Sequence, residues 1–149
     1  MKLKNYTSGI SVERSVAEIE QLLAEAGASH IGKTYENGEL FGFNFQFSVT
    51  GRPLIFKLPC RAEMVAKVLK RQYRRPRAGT FKKIEEQSRR TAWKLLLDWT
   101  SIQISMIKLE QAKAEEIFLP YLMNPNTGDT FFHQLESTGF KLLTKGETK

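Results

Sequence analysis

Phenylalanine occupies every second position at Phe41, Phe43, Phe45 and Phe47, inside the stretch "LFGFNFQFSV" at residues 40–49. Strict alternation reads as a β-strand, because successive side chains leave a strand on opposite faces. A strand needs neighbours, and both flanks supply them. Upstream, "SHIGKTY" reads as a short strand, joined through Asn37-Gly38. That dipeptide is a strong hairpin signal, since a type I′ turn needs positive φ at both central residues. Downstream, "TGRP" turns the chain into "LIFKL", a third strand with Leu54, Phe56 and Leu58 on one face. The chain thus predicts a three-stranded antiparallel sheet.

Helices surround it. "ISVERSVAEIEQLLAEAGA" carries an N-cap at Ser11, an acid in the first turn at Glu13 and a C-terminal glycine at Gly27. Val12, Val16, Ile19, Leu23 and Ala26 form its apolar stripe, with Leu22 beside it. From Arg61 the period returns to helical at Met64, Val65, Val68 and Leu69. "RRPRAGT" breaks it, because Pro76 and Gly79 sit poorly inside a helix. A long helix is predicted to begin with Thr80 as its N-cap. It runs through Trp93, Leu96, Trp99, Ile102, Met106 and Leu109 as far as Leu119, before Pro120. "NPNTGD" is a turn, "TFFHQLESTGF" a short final helix and residues 144–149 a frayed tail.

The predicted order is α-β-β-β-α-α plus a short C-terminal helix, an α+β fold in one domain spanning residues 1–149. Such helices must bury their apolar stripes on one face of the sheet. The Phe row is therefore predicted to point inward, with Trp93 and Trp99 in the core. Gly42, Asn44, Gln46, Ser48 and Lys57 then form the opposite, polar face. Residues 102–109 are apolar on more than one side, which predicts a homo-oligomer contact through the long helix.

The formal net charge is +7, and its placement matters more than its size. Residues 67–90 hold ten lysines and arginines against Glu85 and Glu86, a net of +8 that leaves −1 for the rest of the chain. A concentrated field steers and holds an anionic partner, whereas a scattered one mainly confers solubility. The candidate binding residues are Lys70, Arg71, Tyr73, Arg74, Arg75, Arg77, Phe81, Lys82, Lys83, Arg89 and Arg90, around a basic connector at residues 74–80. The planar fork of arginine suits bidentate phosphate contacts, and Tyr73 and Phe81 offer rings that can stack on bases.

Catalytic and metal-binding patterns are lacking. His30 and His133 have no paired ligand spacing, and no nucleophile elbow or phosphate loop occurs. The sole cysteine, Cys60, excludes an intramolecular disulfide framework and fits a reducing cytoplasm. No apolar run reaches bilayer length and no secretory leader is evident, so no membrane association is expected. No enzyme activity and no cofactor are expected either.

The α-β-β-β-α order of residues 11–73 resembles a double-stranded-RNA-binding domain. The resemblance is of element order: "ENGE" stands where that family has a Gly-Pro-x-His-like loop, and "RAEMVAK" where it has a lysine-rich helix start. No binding residue is carried over from it. "SVERSVAEIEQLLAEAGA" and "TAWKLLLDWTSIQISMIKLEQAKAEEIFLPYLM" together resemble uncharacterised small basic proteins of phages and mobile elements, which implies a nucleic-acid-handling accessory role. The sequence therefore predicts a non-catalytic protein that contacts the DNA or RNA phosphate backbone largely without regard to sequence. The alternatives are an adaptor or inhibitor module docking on an acidic protein, and a small nuclease using Glu85, Asp98 or His133.

Overall fold

A computed structural model describes residues 3–146. The α+β architecture is as the sequence implies: a helix, a three-stranded antiparallel sheet, two further helices of which the longer packs on the first and the shorter on the longer, and short C-terminal helices. Part of the expected tail, residues 147–149, lies outside the described residues.

Helix α1 (Val12–Glu25) is capped by the Ser11 hydroxyl, which accepts the Arg14 N–H at 3.2 Å. Its far end closes through Ala28 N–H to the Leu23 carbonyl, 3.0 Å, with Gly27 at φ 101°. Strands β1 (His30–Glu36), β2 (Glu39–Val49) and β3 (Arg52–Pro59) lie in chain order across the sheet. Asn37 and Gly38 both take positive φ between β1 and β2, as do Thr50 and Gly51 between β2 and β3. The strand β3 begins two residues before "LIFKL", and its Pro53 is tolerated because β3 is an outer strand.

Three of the four phenylalanines point inward as predicted: Phe43, Phe45 and Phe47 are buried. Phe41 is the exception, at 36% exposed. The register explains it. Thr34 pairs with Gly42 and Tyr35 with Leu40, so Phe41 has no partner in β1 and is the extra residue of a β-bulge. Beyond a bulge the alternation shifts by one, and Leu40 packs against the core in its place. Gly42 is also buried rather than part of an open polar face. A Cβ there would stand 2.5 Å from the Leu58 carbonyl oxygen and 3.0 Å from Pro59 Cα, so the strands can approach this closely only at a glycine. The other predicted members of that face are polar, Gln46 donating to the Ser29 hydroxyl and Lys57 to the Gly128 carbonyl, but the half-buried Ile55 stands opposite Gln46 among them.

The helices α2 (Ala62–Lys70) and α3 (Thr80–Lys108) complete the main layer. In α2 the buried face consists of Ala66 and Leu69 with Ala62 and Val65 half-buried, whereas Met64 and Val68 of the predicted stripe are exposed. Ala62, Val65, Ala66 and Leu69 recur every three or four residues and share one face, which leaves Met64 and Val68 on its flank. In α3, Trp93 packs edge-on against Phe43 with ring centroids 5.6 Å apart. Trp99 is half-buried, Ile104 is buried, and Ile102 and Leu109 are exposed.

The long helix stops at Lys108, short of Leu119. Gln111 N–H bonds the Met106 carbonyl at 2.9 Å and Glu110 N–H the Ile107 carbonyl at 3.0 Å, with Glu110 at φ 58°. This is a Schellman closure formed without glycine. The chain then turns through α4 (Ala114–Ile117) and a 3₁₀ turn, Leu119–Tyr121. Phe118 is fully buried among Phe45, Phe47 and Phe56, its ring 5.0 Å from that of Phe45. A continued helix would have carried Phe118 about 15 Å farther along the axis, away from this cluster. Leu122 bridges to Phe56, and Met123 N–H bonds the Ile55 carbonyl, so the C-terminal arm covers the outer edge of β3. Helix α5 (Phe131–Ser137), capped by the Thr130 hydroxyl, follows.

Candidate nucleic-acid interface

The basic residues cluster around the helical hairpin of α2 and α3. Lys67 and Lys70 fall in the last turn of α2, where cations complement the helix dipole. The connector then crosses residues 71–79 without regular structure. Thr80 is not the N-cap of α3; Gly79 takes that place at φ 80°. The Thr80 hydroxyl instead accepts the Arg77 N–H at 3.0 Å, and the Thr80 N–H bonds the Arg77 carbonyl. This reciprocal pair ties the end of the connector to the helix start. It holds the backbone at Arg77 while leaving its side chain free to reach outward.

The eleven candidate residues fall into three groups. Arg71, Arg74, Arg75, Arg77 and Lys82 are exposed, and none forms an ion pair among the described residues. Lys70, Phe81 and Arg89 already have partners in the chain. Lys70 Nζ lies 2.9 Å from Glu85 Oε1 and 5.3 Å from the centre of the Phe81 ring, a cation–π contact. Arg89 reaches Glu39 at 3.9 Å.

Tyr73, Lys83 and Arg90 form the third group. They line one recess of about 540 Å³ together with Tyr6, Gln72 and Gln87. Lys83, Gln87 and Arg90 stand on one face of α3 at helical spacing. Tyr6 enters from the N-terminal segment, which no pattern in "KNYTSG" marks as part of a site. Its position is set by α3. The Thr91 hydroxyl donates to the Asn5 carbonyl at 2.8 Å, and Gln87 Nε2 donates to the Ser8 carbonyl at 3.0 Å. Asn5 Nδ2 donates to Asp98 at 2.8 Å, so the segment is held on both sides of Tyr6. Gln87 Oε1 in turn accepts from Arg90 Nη2 at 2.7 Å and orients the guanidinium.

Asp98 is buried enough to favour its neutral form, yet its pKa lies below the ordinary value. Hydrogen bonds from Lys94 and Asn5, and the charges of Lys94 and Lys4, outweigh the burial. Glu85 is engaged by Lys70, and His133 stands apart on α5. Cys60 is buried, and desolvation, with the nearby Glu63 charge, pushes its pKa up to about 12 against the opposing charge of Arg89. A thiol held that high is a packing group at neutral pH. A second recess, of about 630 Å³, lies between α2, α3 and the C-terminal arm and is lined by Met64, Val65, Leu96, Trp99, Tyr121 and Phe132. Among the described residues no helix is long and apolar enough to cross a membrane.

No protein-family model matches the chain, nor does any curated protein or solved structure.

Proposed function

We propose that the protein binds nucleic acid without acting on it, holding phosphates at the tip of the α2–α3 hairpin. One observation carries this reading. Arg71, Arg74, Arg75, Arg77, Lys82 and Lys83 are exposed and have no carboxylate partner among the described residues, whereas Lys70 and Arg89 are paired. Unpaired cations at this density repel one another and favour an anion that neutralises them together. Phosphate contacts position a partner without reading its sequence, so binding is largely sequence-independent. A single reduced cysteine suits a cytoplasmic setting. Any homo-oligomer through α3 would use Ile102 and Leu109, which are exposed.

The test is the salt dependence of binding to a mixed-sequence oligonucleotide. Each neutralised phosphate adds about one unit to the log–log slope of affinity against salt. Replacing Arg74, Arg75 and Arg77 together by alanine should flatten that slope by about three and weaken binding to all sequences alike. The melting temperature should hold, since these side chains lie on an exposed connector. A folded triple variant with unchanged affinity would end this reading.

A second reading, an adaptor or inhibitor docking on an acidic protein, is favoured by the apolar recess, whose rim includes the exposed Met64 and Phe132. On that reading Met64→Asp abolishes partner capture, while oligonucleotides bind weakly or not at all.

A further inference from the structure

We infer that the recess between Tyr6 and Tyr73 receives one unstacked nucleotide, so that the partner is single-stranded nucleic acid. The inference rests on the nucleic-acid reading above and narrows it. The recess combines two ring systems, two cations and side-chain amides in about 540 Å³, within the span of small-molecule sites, roughly 300–1,000 Å³. Tyr73 is 51% exposed and Tyr6 38%, so each offers ring surface to a visitor.

The walls are already organised. Tyr6 sits in a turn closed by Ser8 N–H on the Asn5 carbonyl and fastened to α3 through Thr91 and Gln87. The Gln87 amide is spent on Ser8, Thr91 and Arg90. Arg90 makes no other hydrogen bond among the described residues, so most of its five N–H donors remain for a ligand. Ordering these groups in advance removes part of the entropy cost of binding.

Spacing then sets the ligand's orientation. Lys83 and Arg90 lie two turns apart on one face of α3, about 10 Å along its axis. A strand running along that face meets a cation on either side of one nucleotide. Glu86 is a carboxylate on the same wall and repels phosphate, leaving the space between the cations to an uncharged base. A duplex cannot fill such a site, because its bases are paired and stacked on each other. Only an unstacked base presents a π-face to tyrosine.

The experiment compares one mixed-sequence DNA oligonucleotide as a single strand and as a duplex, at equal salt, on the full chain. Wild type should prefer the single strand. Tyr73→Leu should weaken single-strand binding by roughly 5- to 150-fold, the span for a lost base–aromatic stack, and leave duplex binding and the salt slope unchanged. Tyr6→Leu should act in the same direction, and Tyr73→Phe, which keeps the ring, should restore wild-type affinity. Lys83→Ala should flatten the salt slope by about one. If wild type binds both forms with a steep salt slope and the tyrosine variants change neither, the recess is not a base site and the phosphate reading stands. Equal losses on both forms also overturn the recess assignment. Binding to neither form removes both readings.

Discussion

At the scale of single residues, the sheet separates phenylalanines that look equivalent in the sequence. Phe45 is 1% exposed and touches Phe47, Phe56 and Phe118, while Phe41 has no strand partner and is turned outward. Phe45→Ala should therefore cost roughly 3–5 kcal/mol of stability, the range for a buried phenylalanine. Phe41→Ala should cost about 1 kcal/mol or less. Denaturant midpoints of the two variants check this, and equal losses would mean that the bulge does not exist in solution. The alternation itself was legible. The bulge was not, because it depends on how β1 pairs with β2, and Gly42 beside it is equally accounted for by the close approach of β3.

At the scale of elements, three helices end with the same closure. α1 uses Gly27, α5 uses Gly139 at φ 65°, and α3 uses Glu110 at φ 58°. The glycine ends are readable from sequence because glycine takes left-handed φ at little cost. The glutamate end is not, and the sequence therefore prolongs α3 too far. Glu110 bears a conformational cost there, and its side chain is exposed. Glu110→Gly should raise stability by roughly 0.5–1 kcal/mol, after the greater freedom of glycine in the unfolded chain is set against the relieved strain. Thermal unfolding would show it; a lower melting temperature would mean that Glu110 makes a contact that outweighs the strain.

At the scale of the whole molecule, two carboxylates fasten N-terminal parts to α3. Asp98 receives hydrogen bonds from Lys94 and Asn5, and Glu25 is held low chiefly by the hydrogen bond from Lys108, then by Gln21. Both have pKa values below their ordinary ones. A depressed carboxylate stabilises the fold above its unfolded pKa, about 4, and that contribution is lost as pH falls through the lower folded value. Stability of the wild type should accordingly be steady near neutrality and fall on acidification below about pH 4. Asp98→Asn should be less stable at neutral pH, with the gap to wild type closing in acid. Urea midpoints across that range measure it, and a gap that stayed constant would remove Asp98 from the account. The same attachment of residues 5–8 to α3 places Tyr6 in the recess, so acid should loosen the recess along with the fold.

The sequence by itself determined the order of elements from α1 to α3, the hairpin at Asn37-Gly38, the inward face of β2 and the placing of positive charge around the α2–α3 turn. Each follows from a local cause: side-chain period, turn chemistry or charge density. Tertiary structure alone decided that Phe118 fills the core, that Met64 and Val68 face outward, and that Lys70 and Arg89 are paired while Arg74, Arg75 and Arg77 are not. It also brought Tyr6 beside Tyr73, Lys83 and Arg90. Those outcomes depend on partners far away in the chain, Asn5 with Asp98 and Ser8 with Gln87 among them, and no local pattern encodes a contact whose two halves lie that far apart.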